Sequence, residues 1–167
     1  MYSACDALVL IGPKAGQAVP AVIDLLNDHD CEVQRSAPFI LAALGPITTN
    51  VIPALINALT NDGDWYTEEN ALRAIGLIGP AATNAIPDLV LELKHFHPDF
   101  REFAAEALGN IGPKSKSAIP ALLAAERDQN IAVSDAARSA LLKIEVVAPA
   151  KAPWVTLVEY RHDAYYV

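Results

Sequence analysis

Apolar residues recur along this chain first with helical spacing and then with a longer repeat. Four Gly-Pro pairs (Gly12-Pro13, Gly45-Pro46, Gly79-Pro80, Gly112-Pro113) stand 33, 34 and 33 residues apart, and a second proline follows each by seven residues, at Pro20, Pro53, Pro87 and Pro120. Nine, six, five and two positions before the first proline, every copy is apolar: Ala4, Ala7, Leu8, Ile11; Ala37, Ile40, Leu41, Leu44; Ala71, Ala74, Ile75, Ile78; Ala104, Ala107, Leu108, Ile111. A fifth row, Ala137, Ala140, Leu141, Ile144, lacks the Gly-Pro after it. The spacing i, i+3, i+4, i+7 is one face of an α-helix. Glycine accepts the left-handed conformation that ends a helix, and proline cannot extend it, so each row predicts a helix that stops at its Gly-Pro.

A second apolar row surrounds the second proline, one position before it and two, three and six after it: Val19, Val22, Ile23, Leu26; Ile52, Leu55, Ile56, Leu59; Ile86, Leu89, Val90, Leu93; Ile119, Leu122, Leu123. In the last unit Glu126 takes the final slot, which makes that unit atypical. Each unit therefore reads as helix, break, helix. The second helices are expected to begin near Gln17, Asn50, Asn84 and Ser117, three of which can cap a helix. The units run over about 1–30, 31–63, 64–97 and 98–130, followed by a closing helix at 131–145, a Pro/Ala connector at 146–153 and an aromatic tail at 154–167 without helical spacing. The extra residue of the 34-residue step is expected in the loop around Gly63. A fixed period of this length indicates a stacked array of supersecondary units that bury their core between neighbours.

The pattern Ala-x-x-Ala-Leu-x-x-Ile-Gly-Pro followed by Ala-Ile-Pro-x-Leu, as in residues 104–122, resembles the HEAT-repeat family, in the short form also found in phycobilisome lyase-like proteins. The resemblance covers residues 1 to about 145 and implies an all-α, right-handed α-solenoid of about four and a half helix pairs, with the second helices lining the concave side. The family commonly opens its first helix with Val-Arg. Phe100-Arg101 fits, whereas Val33-Gln34, Thr67-Glu68 and Val133-Ser134 depart from it. The first helix begins as though cut into, so the chain is expected to be a fragment of a longer repeat protein or an array without an N-terminal cap, with self-association through that first unit.

Helical geometry names a face opposite the apolar stripe of the second helices: three positions before the second proline and one, four and eight after it. Apart from alanines at Ala21, Ala54, Ala121 and Ala124, it comprises Gln17, Asp24, Asp28, Asn50, Asn57, Asn61, Asn84, Asp88, Leu91, His95, Ser117 and Asp128, a polar, acidic strip that is the predicted partner-binding surface. Trp65 and Tyr66, beside an interunit loop, and Trp154 in the tail are candidate aromatic anchors.

Composition removes several alternatives. A formal charge of −8 argues against a sequence-independent grip on nucleic acid or on an anionic membrane. No apolar run approaches the roughly 20 residues of a membrane span, and no leader precedes the first unit, so a cytoplasmic, soluble protein is expected. Cys5 and Cys31 form no framework. Two histidines at 95 and 97 beside Asp99 are a poor metal set without further ligands, and Asp62-Gly63-Asp64 lacks the remaining oxygens of a calcium loop. No phosphate loop or nucleophile elbow is present. The expectation is a non-enzymatic scaffold or adaptor for a protein or peptide, with no cofactor. A lyase-like subunit sharing a tetrapyrrole site is the enzymatic alternative that the family resemblance carries, and a self-assembling structural fragment is the other.

Overall fold

The computed structural model describes residues 7, 10, 11, 16–44, 51–60 and 65–145. The first helices of the units are α2 (Cys31–Leu44), α4 (Trp65–Ile78), α6 (Pro98–Ile111) and α8 (Ile131–Glu145). The second helices are α1 (Val19–Asp24), α3 (Val51–Thr60), α5 (Ile86–Glu92) and α7 (Ile119–Ala125). Each first helix packs against the first helix of the next unit, and each second helix packs against the first helix that follows it. The result is two layers of an α-solenoid, with the core between them.

The four first-helix rows from Ala37 to Ile144 are buried at every predicted position, and α2, α4, α6 and α8 meet along them. The first copy differs: of its row, Ala7 and Ile11 are described and both are exposed. In the second helices the positions two and six after the proline close the core (Val22, Leu26, Leu55, Leu59, Leu89, Leu93, Leu122), while the third position is only half-buried. In the last unit Leu123 is 44% exposed and Ala125 is buried instead.

The helix stops follow the prediction at Gly79 and Gly112, whose φ angles are +63° and +74°. The helix starts do not. The second helices α1, α5 and α7 carry no side-chain cap; their N-cap residues are Ala18, Ala85 and Ala118, and a proline sits in the first turn. Asn84 and Ser117 lie within 3-10 turns, Thr83–Ala85 and Gly112–Ala118, that lead straight into the helices. In such a lead-in the turn's own carbonyls take up the first N–H groups, so a side-chain oxygen is not required.

Side-chain caps occur on the first helices instead, which are entered from the links. Asp30 accepts the Glu32 N–H at 2.8 Å, Asn130 accepts the Ala132 N–H at 2.9 Å, and the His97 ring accepts the Asp99 N–H at 3.4 Å from an extended backbone. The Gly63 loop, Asn50, Asn61, the 146–153 connector and the tail with Trp154 lie outside the described residues.

Candidate partner-binding surfaces

The second-helix face is narrower than helical phase alone predicts. Gln17, Asp24, Asn57, Asn84, Leu91 and Ser117 are exposed along it, together with Pro20, Pro53, Pro87 and Pro120, and Asp88 is half-buried. Leu91 is the large apolar member, 63% exposed. In the row eight residues after the proline, Asp28, His95 and Asp128 do not belong to it. Where the second helix ends at Asp24, Glu92 or Ala125, position eight falls in the link, past the end of the helical phase.

There these side chains fold the link. Asp28 accepts the N–H of Asp30 at 2.8 Å, His95 Nδ1 accepts that of His97 at 3.2 Å, and Asp128 accepts that of Asn130 at 2.9 Å. Each is the side-chain-to-backbone turn, two residues on, that short polar residues favour. Asp28, His95 and Asp128 are therefore internal fastenings in this fold.

Asp128 has a second task. Its carboxylate receives Nε and Nη2 of Arg101 at 2.7 and 2.9 Å, a two-pronged pair whose side chains are 15% and 17% exposed. Nη1 of the same guanidinium donates to the carbonyls of His95 and Phe96 at 2.8 and 3.1 Å. The hydrogen bonds from Arg101 hold the Asp128 carboxyl below the usual carboxylate range. Arg101 thus ties the link before α6 to the link after α7. Hydroxyls make further ties of this kind: that of Ser134 donates to the Glu126 carbonyl at 2.7 Å, and the buried Thr67 hydroxyl donates to the Leu26 carbonyl at 3.0 Å.

Charge on the second-helix side gathers near α5. The half-buried Glu92 carboxyl is pushed up by burial and by repulsion from Glu68 and Asp88. A cation arriving here would relieve that cost.

The predicted aromatic anchors divide. Trp65 stands edge-on to His97 and Phe100, with ring centroids 3.9 and 4.7 Å away, and is 36% exposed. Phe100 is fully buried and His95 stacks on it at 4.3 Å, so most of this cluster is packing at the junction of the third and fourth units. Phe96, at the edge of the same cluster, and Tyr66 remain open, 82% and 57% exposed. Both imidazoles are used to shape the link, and among the described residues no group of three His, Cys, Asp or Glu side chains is placed to hold a metal. Among the described residues no helix is long and apolar enough to cross a membrane.

One surface was missed by the sequence reading. The outer side of the first-helix layer carries a cleft of about 160 Å³ lined by Phe39, Leu72, Arg73, Gly76, Leu77, Phe103, Glu106, Ala107 and Asn110. The available signal was large apolar residues (Phe39, Leu77, Phe103) at positions outside the buried stripe.

Comparison with known proteins agrees with the repeat geometry. HEAT repeats match residues 52–142. No curated protein matches the chain. Among solved structures, the complex of CpcE and CpcF of phycocyanin lyase from Nostoc sp. PCC7120 is similar at 20% identity and a TM-score of 0.69, covering 86% of this chain and 88% of that one. A designed armadillo repeat protein in complex with the peptide (KR)4 is similar at 22% identity and a TM-score of 0.61; the match covers 78% of this chain and 65% of that protein. An engineered protein matches at 24% identity and a TM-score of 0.56 over 84% of this chain and 73% of its own. With the repeat match spanning more than half of its length and the two helical layers packed unit on unit, the chain belongs to the HEAT-repeat family.

Proposed function

We propose that this chain is a non-enzymatic scaffold whose second-helix layer holds a Lys- and Arg-rich stretch of another protein. The observation that carries this reading is the crowding of Glu92 with Asp88, on the layer where Asp24 is exposed, in a chain of net charge −8. The Glu92 carboxyl, pushed up by burial and then by neighbouring carboxylates, loses that penalty when an ammonium or guanidinium arrives. The exposed prolines and small residues leave the layer low in relief, which suits an extended ligand. The designed armadillo protein of similar fold is in complex with a (KR)4 peptide, a ligand of the same chemistry.

Fluorescence anisotropy with a labelled (Lys-Arg)4 peptide tests the reading. Binding should weaken steeply between about 50 and 300 mM salt, because exposed charge pairs are screened over a Debye length of about 10 Å at 0.1 M salt. Joint replacement Asp24→Lys and Asp88→Lys should abolish it without changing the helical circular dichroism. Unchanged affinity in that variant would remove the second-helix layer from the account.

A second reading, one subunit of a paired lyase-like protein carrying a tetrapyrrole, draws support from the end-to-end fold match to the CpcE and CpcF complex. It predicts an absorbance shift when the protein is mixed with a bilin. An unchanged spectrum would leave the scaffold reading alone.

A further inference from the structure

The side of α8 turned away from α6 carries a short stripe of side chains that reads the same from either end. Inside the array this side of a first helix faces the next unit: Gly76 and Gly109 lie against Ala107 and Ala140 of the following first helix, and Leu72 and Ala105, one turn earlier, are buried. In α8 the places of Ala105 and Gly109 are taken by Arg138 and Leu142, and both are exposed, Leu142 at 64%. A further first helix in the same geometry does not fit on Leu142, since even a Cβ at Gly109 would stand 2.8 Å from the Ala140 Cα. Whatever covers α8 is held off by the length of a leucine side chain.

Ile131 and Asp135 continue the stripe toward the start of the helix, and both are exposed. Residues 131, 135, 138 and 142 follow the spacing i, i+4, i+7 and i+11. Eleven residues make about three turns, so Ile131 and Leu142 share one face about 16 Å apart. Between them stand one carboxylate and one guanidinium. Arg138 reaches Asp135 at 3.2 Å and Glu126 at 3.4 Å, and all three side chains are more than a third exposed, so both ion pairs are open to water and to exchange.

We infer that α8 pairs with α8 of a second copy of this chain, the two helices antiparallel about a two-fold axis that passes midway between Asp135 and Arg138. The spacing fixes the register, because Ile131 and Leu142 lie equally far from that axis, as do Asp135 and Arg138. Ile131 of one copy therefore meets Leu142 of the other, and Asp135 meets Arg138, each contact occurring twice. A parallel two-fold pairing would set Asp135 against Asp135 and Arg138 against Arg138, which repel. Exposed ion pairs contribute little on their own, so the apolar ends hold the pair and the charges set its direction. A contact one helix of 15 residues long, about 22 Å, is small beside a standard interface, which makes the dimer weak and reversible. This places self-association at the end of the array away from the first unit, and it does not rest on either layer binding a ligand.

Sedimentation equilibrium of the full chain at about 50 mM salt, over roughly 5–500 µM protein, tests the pairing. The parent should pass from monomer to dimer within that range. Leu142→Glu should weaken the dimer at least about tenfold, since it puts a charge into each of two apolar contacts. Asp135→Arg alone and Arg138→Glu alone should each weaken it severalfold, because each sets like charges face to face. Mixed one to one, those two single variants should recover the association of the parent, since every charge then meets its opposite. All three positions are exposed, so circular dichroism and melting temperature should follow the parent. A monomer at every concentration would overturn the inference and leave α8 to the chain beyond residue 145 or to another protein. A dimer indifferent to Leu142→Glu would overturn it too, by putting self-association elsewhere in the array. Failure of the mixed variants to recover would exclude the antiparallel register.

Discussion

Arg101 and Asp128 offer the most quantitative handle on the array. Two charge-assisted hydrogen bonds join them at 2.7 and 2.9 Å, and two more run from Arg101 to the His95 and Phe96 carbonyls. Both side chains are mostly shielded from water, so the pair stands between an exposed ion pair of under about 1 kcal/mol and a fully buried one whose breakage costs about 3–5 kcal/mol. Arg101→Met, which keeps the apolar stem, should cost about 2–3 kcal/mol, since it orphans a carboxylate and two carbonyls. Asp128→Asn keeps one acceptor and should cost about 1–2 kcal/mol. A double-mutant cycle by urea unfolding at pH 7 should then give a coupling of about 1–2 kcal/mol. The pH dependence follows from the sign of the Asp128 shift. Its carboxyl titrates lower in the folded protein than in the unfolded chain, so the stabilisation is complete above about pH 4 and fades as pH falls through the folded value. The gap between parent and Asp128→Asn should therefore close in acid. A coupling below about 0.5 kcal/mol, or a gap indifferent to pH, would show that the pair is merely a surface contact and that the junction is held by packing alone.

The two glycines facing the next first helix should respond to alanine with opposite signs. A Cβ at Gly76 would meet the Ala107 Cα at an ordinary 3.5 Å, so Gly76→Ala should gain up to about 1 kcal/mol of helix propensity. At Gly109 it would lie 2.8 Å from the Ala140 Cα, and Gly109→Ala should lose about 1 kcal/mol net as α6 and α8 are forced apart, both measured by chemical unfolding. Phe100→Ala, in the centre of the aromatic junction, should cost about 3–5 kcal/mol and lower the melting temperature by roughly 6–20 °C. Thr67→Val keeps the shape but leaves the Leu26 carbonyl without its hydroxyl donor, an expected loss of about 1–2 kcal/mol that no change at pH 5–8 should alter. For Glu92, whose folded pKa is raised, ionisation opposes folding as pH climbs above the unfolded value, so Glu92→Gln should raise the melting temperature at pH 7 and leave it unchanged near pH 4.

The repeat and its buried rows were legible because they are local. A helix with apolar residues at i, i+3, i+4 and i+7 can bury only that face, and the described first-helix rows from Ala37 onward are buried at every position. The stops at Gly79 and Gly112 were legible for the same reason, since a positive φ selects glycine wherever the chain must turn there. Pro38 shows the limit of local rules: it lies inside α2 and is buried, where propensity alone would end the helix. Burial of the ring outweighs the lost hydrogen bond. The site was less legible. The predicted strip faces outward only as far as each second helix lasts, because phase arguments assume a helix that here ends within five residues of its second proline in α1, α5 and α7.

By itself, then, the sequence determined the helix pairs, their period, their buried faces and the family, all consequences of spacing between residues a few positions apart. Which polar residues fasten the array and which face solvent was decided only in three dimensions. Asp128 and Asp88 occupy the same predicted strip, yet one is gripped by an arginine 27 residues earlier while the other crowds Glu92. The cleft, too, exists only because α2, α4 and α6 stack side by side, bringing Phe39, Gly76 and Phe103 from three separate units to one place. Such contacts depend on how far one helix sits from the next, and that distance is set by the packing of whole layers rather than by any stretch of the chain.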